Sequence, residues 1–133
     1  HAHAGEGDGT ETVRAPLRAA RHGPPANYEG TKMGWVLIAL RNAVWHLMRG
    51  ASLESAVIGT VSAGGDTDTN AAICGALLGA HAGREAVPAR WRRLVLSCRP
   101  IPGAETRHPR PPEYWPDDAM ALAEAVLAAG RAG

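Results

Sequence analysis

Gly64-Gly65-Asp66-Thr67-Asp68-Thr69-Asn70-Ala71-Ala72-Ile73 places two carboxylates and two hydroxyls, all hard oxygen ligands, at the mouth of a helix. The paired glycines permit backbone angles that a side chain forbids, so an apolar segment ending at Val61 can turn sharply and aim the following residues into a cleft. Beyond the turn, small residues recur at three- and four-residue spacing through Ala80, as a helix requires. Asp and Thr at a helix entry have an ordinary use, since one side-chain oxygen caps the free N–H groups and a carboxylate complements the helix dipole. Capping needs only one acceptor, whereas this turn carries four such side chains. Asp66 and Asp68, two residues apart across a tight turn, can also converge on a magnesium, manganese or calcium ion. From spacing alone, both readings stand.

The order of elements around the turn adds a resemblance. Lys32-Met33-Gly34-Trp35-Val36-Leu37-Ile38-Ala39-Leu40 and Ala43-Val44-Trp45 precede it, then Ser52-Leu53-Glu54-Ser55-Ala56-Val57. Gly75-Ala76-Leu77-Leu78-Gly79-Ala80 and Ala86-Val87-Pro88-Ala89-Arg90-Trp91 follow. Over about residues 28 to 98 the chain resembles the C-terminal part of the ADP-ribosylglycohydrolase family, the relatives of the enzyme that removes ADP-ribose from dinitrogenase reductase. The resemblance implies an all-α fold, an orthogonal helical bundle around two divalent cations, Mg2+ or Mn2+. Carried over by position, it implies Asp66, Asp68 and Thr69 as metal ligands, with Asp68 bridging. It leaves Thr67, Asn70, Gly64 and Gly65 to support the loop, and it places Tyr28 and Gly30 where the family lines its substrate cleft.

The implied chemistry is hydrolysis of the glycosidic bond of an ADP-ribose conjugate, either an ADP-ribosylated protein or a small molecule containing ADP-ribose. Two ions about 3.5 to 4 Å apart can hold vicinal ribose hydroxyls and polarise a water. Carboxylates then stabilise the oxocarbenium-like state electrostatically. The family's other ligands, a Glu and a Thr-Asp-Asp run, belong to its N-terminal half. The carboxylates before Asp66 are Glu6, Asp8, Glu11, Glu29 and Glu54, and none lies in such a run. The chain begins at His1, so it is expected to be the C-terminal part of a longer protein, or one that has lost its beginning. Half a metal site, no catalytic base of its own, and inactivity as an isolated piece are the expectations. Partnership with a complementing N-terminal half, or self-association through exposed apolar surface, follows from the same reasoning.

Composition fits a helical unit. The 133 residues are 45% apolar, dominated by Ala and Leu, with no Phe and scattered Val and Ile. A net charge of +1 nominates neither nucleic acid nor membrane. Arg90, Arg92 and Arg93 read as a solvated helix face. Two cysteines, Cys74 and Cys98, make no disulfide framework and are read as buried small side chains, which points to a reducing cytoplasm. The apolar run Val36 to Leu40 is far shorter than the roughly 20 residues of a membrane span.

Residues 1–27 lack a sustained period and read as a loop-like or frayed lead, and 28–133 read as the helical portion. Helices are expected over Thr31–Met48, ended by Gly50, then over Leu53–Val61 with a Ser52 cap, through the segment closed by Gly83, and over Ala89–Ser97 after Pro88. A strap carrying Pro100, Pro102, Pro109, Pro111, Pro112 and Pro116 leads to a final helix opened by Asp117 and Asp118. Trp35 and Trp45 read as core and His46 as a surface or satisfied histidine. Gly75 and Gly79 are expected to repay their helix cost by close packing, and Tyr114 and Trp115 to anchor the strap. Two other classes of function compete with the hydrolase: a family-like binding or structural module without catalysis, and an unrelated helical domain in which D-T-D-T is only a cap.

Overall fold

The computed structural model describes residues 9–26, 28–31, 33–103 and 105–131. Among these the regular structure is entirely helical: α1 Gly9–Ala19, α2 Val36–Met48, α3 Leu53–Ser62, α4 Thr67–Ala82, α5 Ala89–Leu96 and α6 Ala119–Arg131, with 3₁₀ turns at Arg84–Ala86, Pro112–Tyr114 and Pro116–Asp118. The chain divides into two compact units, His1–Val87 and Pro88–Gly133. No helix among the described residues is long and apolar enough to cross a membrane.

The first unit is built around α4, which packs against both α2 and α3, while α1 packs on α2. The loop-like lead expected over residues 1–27 is corrected here, because Gly9–Ala19 is helical despite Pro16 within it. The helix packs on α2 and Ala20, directly after it, is buried, so tertiary contact outweighs weak local propensity. Residues 1–8 of that lead, with His1 and His3, lie outside the described residues, as do Asn27, Lys32, Ala104 and the last two positions.

The buried face of α2 also departs from expectation. It consists of Ala39, Asn42, Ala43 and His46, at the i, i+3, i+4, i+7 spacing of one helical stripe. Trp35 is 49% exposed and Val36 63% exposed, and Trp45 is half-buried with the Arg49 guanidinium 4.5 Å from its ring centroid. The facing stripes are Leu53, Ala56 and Thr60 on α3, and Asn70, Cys74 and Leu78 on α4. Small and polar side chains thus fill the space between closely approaching helices, and the bulky apolar residues of α2 lie outside it.

α3 begins as its cap dictates, the Ser55 N–H donating to Ser52 Oγ at 3.2 Å. α4 ends at Gly83, whose φ is +82°. The packing expected to require Gly75 and Gly79 is looser than that: a methyl group at 75 would lie 3.5 Å from Val57 Cγ2, and one at 79 would lie 3.6 Å from Leu53 Cδ1, both ordinary contact distances.

In the second unit, α5 packs on the Pro116–Asp118 turn, and the strap folds back on itself through Arg110 N–H donating to the Pro100 carbonyl at 2.9 Å. Trp115 Nε1 donates to the Arg110 carbonyl at 2.9 Å, the Arg99 guanidinium lies 5.5 Å from the Trp115 ring centroid, and Arg99 also pairs with Asp117. Trp115 therefore fastens the strap, but Tyr114 does not, being 75% exposed. Cys74 is buried as expected, whereas Cys98 is exposed just beyond α5, where the helix has ended and nothing covers it.

Candidate metal centre

The turn that delivers Asp66 to the surface is fixed by contacts that only glycine permits. Gly64 and Gly65 have φ of +82° and +70°, and a Cβ at residue 65 would fall 1.7 Å from the Tyr28 carbonyl oxygen. The segment before α2 therefore lies in backbone contact with the turn. Thr67 N–H closes the turn on the Gly65 carbonyl at 3.0 Å, and Asn70 N–H makes the first helical bond to the Asp66 carbonyl at 3.0 Å. Asp66 is thus the N-cap residue of α4, while Thr67, Asp68 and Thr69 form its first turn.

A capping aspartate normally accepts an N–H from that first turn. Asp66 makes no such side-chain bond. Its Oδ2 instead lies beside Gly34, 3.2 Å from where a Cβ would stand. The Asp68 carboxyl is held below the usual carboxylate range, first by the neighbouring Asp66 side chain, then by the Thr69 N–H, which donates to Oδ1 at 2.9 Å, and by its own N–H. Two carboxyls and a hydroxyl within one helical turn are hard oxygen donors of the kind that divalent ions take. The end of α4 opposes a cation with only about half a positive charge, which two carboxylates outweigh.

The expected site residues separate by depth. Asp66 and Thr67 are half-buried, Asp68 and Thr69 are exposed, and Asn70 is 1% exposed with its Nδ2 lacking a hydrogen-bond partner. Tyr28 lies against the turn through its carbonyl, and Gly30 accepts the Met33 N–H at 3.1 Å in the loop before α2. Among the described residues, no group of three or more His, Cys, Asp or Glu side chains is arranged to hold a metal ion.

Three contributors were not singled out from sequence. Glu29 brings Oε1 to 3.2 Å from a Cβ position on Gly64, placing another carboxylate against the turn. Glu29 also lines a cavity of about 650 Å³ together with Thr12, Pro16, Trp35, Ile38 and Arg41, so the cavity borders the turn. Inside the unit, Tyr28 OH donates to Asn42 Oδ1 at 2.7 Å, and Asn42 Nδ2 donates to Thr60 Oγ1 at 2.8 Å. Burial also raises the Tyr28 hydroxyl and the Cys74 thiol above their ordinary pKa.

The chain is 36% identical over 77 residues to a protein of Acanthamoeba polyphaga mimivirus named "Putative ADP-ribosyl glycohydrolase L543", an alignment covering 55% of this chain and 23% of that protein. The chain thus spans about a quarter of the length of the curated relative it matches. No solved structure matches it. The sequence model of the ADP-ribosylglycohydrolase family matches residues 2–131, nearly the whole chain. The chain belongs to the ADP-ribosylglycohydrolase family.

Proposed function

We propose that the Asp66–Thr69 turn forms one side of a divalent-cation site that serves hydrolysis of the glycosidic bond in ADP-ribose conjugates. The observation that carries this reading is an N-cap aspartate whose carboxyl makes no capping bond, on a glycine turn pressed against the Tyr28 carbonyl, with Asp68 and Thr69 in the following helical turn. Asp68, favoured in its ionised form, would be the principal ligand and the bridge, Asp66 would close on the ion beside it, and Thr69 would add a hydroxyl from the same turn. Bound magnesium or manganese ions would supply charge to hold ribose hydroxyls and to acidify a water.

The remaining work of these residues is positional. Gly64 and Gly65 let the turn lie against the 28–34 segment, and Thr67 and Asn70 hold the first turn of α4. The bordering cavity offers the Trp35 ring and the Arg41 guanidinium, groups suited to an aromatic or phosphate-bearing part of a conjugate. Tyr28 and Gly30 lie on the segment at its edge. The substrate would be an ADP-ribosylated protein or a small molecule containing ADP-ribose. Further ligands would come from a complementing N-terminal half or from a second copy of the chain.

In the full-length protein, release of ADP-ribose from modified protein is expected to require Mg2+ or Mn2+ and to stop on chelation. Asp68→Asn is expected to lower it by about 100-fold or more. Release that persists in chelator would contradict the metal-dependent reading.

A further inference from the structure

A chain of hydrogen bonds runs from the interior of the first unit to the residue that braces the Asp66 turn. Thr60 Oγ1 on α3 donates to the Ala56 carbonyl at 2.8 Å and accepts Asn42 Nδ2 from α2 at 2.8 Å, and Asn42 Oδ1 accepts the Tyr28 hydroxyl at 2.7 Å. Asn42 and Thr60 are both 0% exposed. Each group in the chain has a donor and an acceptor role that its neighbour complements, so one orientation of each side chain satisfies all of them. Cys74 on α4 is likewise 0% exposed.

Tyr28 therefore has two ends with different tasks. Its hydroxyl is held in the core by Asn42, while its carbonyl oxygen occupies the space that a Cβ on Gly65 would need. A shift of the Tyr28 backbone is transmitted directly to Gly65, and through one residue to Asp66. Simple stability of the helices does not require this connection, for α2, α3 and α4 also pack through Ala39, Ala43, Ala56 and Leu78.

We propose that Tyr28, Asn42 and Thr60 are positioning residues that set the Asp66 and Asp68 carboxyls for cation binding, by holding the 28–34 segment against the Gly64–Gly65 turn. This rests on the metal reading given above for its ligand, but its mechanical part can be read without metal. Tyr28→Phe removes one oxygen and keeps the ring. In the metal-free 133-residue chain, amide hydrogen exchange over residues 64–70 is expected to rise about tenfold in Tyr28→Phe, with the C-terminal half of α4 unchanged. Titrated with MnCl2, the same variant is expected to bind about three- to tenfold more weakly, the effect of one lost hydrogen bond. Thr60→Val is expected to act in the same direction and Thr60→Ser to restore wild-type behaviour. Leu78→Ala, which loosens α4 away from the chain of bonds, is expected to leave the Mn2+ affinity in place.

Exchange over 64–70 that is the same in Tyr28→Phe and wild type would overturn the positioning role, whatever the metal titration shows. Changed exchange with no Mn2+ binding by wild type would overturn the assignment to a cation site and leave only a structural brace. Equal loss of affinity in Leu78→Ala and Tyr28→Phe would also overturn it, since general loosening would then suffice.

Discussion

Replacing Gly65 by alanine tests the contact on which the candidate site is built. The new methyl would be placed 1.7 Å from the Tyr28 carbonyl oxygen and 2.6 Å from its carbon, both backbone atoms that cannot rotate away. Real Cβ contacts essentially never fall below 3.0 Å, so the turn and the 28–34 segment must part by about 1.3 Å. Forced overpacking of this kind costs about 1–3 kcal/mol. A φ of +70° adds about 1–2 kcal/mol for an L side chain. The expected loss is therefore about 2–5 kcal/mol, a large part of the roughly 5–15 kcal/mol that stabilises a domain. Gly50→Ala is the control, because its φ is +68° with nothing within 4 Å of the added methyl, and it should lose only about 1–2 kcal/mol. Urea unfolding followed by tryptophan fluorescence measures both. Losses equal within about 0.5 kcal/mol would refute the close approach of Tyr28 to the turn.

Gly75→Ala and Gly79→Ala are expected to have the opposite sign. The added methyls would meet Val57 and Leu53 at ordinary distances, so each substitution should stabilise by about 0.5–1 kcal/mol in the same urea assay, through better helix propensity. Acid should weaken the fold through His46, which is 2% exposed, has no partner for Nδ1, and lies with Cε1 3.3 Å from a Cβ position on Gly59. Burial, and then the Arg49 guanidinium, hold its pKa below the ordinary value of 6.5. The unfolded chain therefore binds the proton more tightly than the folded one. Stability is full above pH 6.5 and falls as pH drops below it, levelling only beneath the folded pKa. Urea midpoints between pH 8 and pH 5 should show this fall in wild type and a smaller one in His46→Gln.

Much of the helical frame could be read from sequence because its signals are local. Ser52 caps α3, Gly83 ends α4, and Pro88 precedes α5, each by chemistry that acts within a turn. The α1 helix was missed because it depends on packing against α2 rather than on its own Gly, Thr and Pro content. The buried face of α2 was misread for a related reason. Helices that approach closely select Ala39, Asn42 and Ala43, and a reading that equates burial with bulk assigns that place to Trp35 and Trp45 instead.

The candidate site divides in the same way. Asp66, Asp68 and Thr69 lie within four residues of each other, so their shared place at the entrance of α4 could be read from spacing. Glu29, Gly34 and Tyr28 reach the turn from more than 30 residues upstream, and no local pattern announces contacts of that range. Asn42 and Thr60 were also obscured, since a buried amide and a buried hydroxyl make sense only once their mutual bond is seen.

Calorimetric titration of the 133-residue chain with MnCl2, wild type beside Asp68→Asn, tests the central claim most directly. The account predicts weak, saturable binding by wild type and its loss in the variant, with unfolding midpoints nearly unchanged because Asp68 is exposed. Binding of equal strength in both proteins, or none in either, would contradict it and leave Asp66 and Asp68 as the entrance of a helix and nothing more.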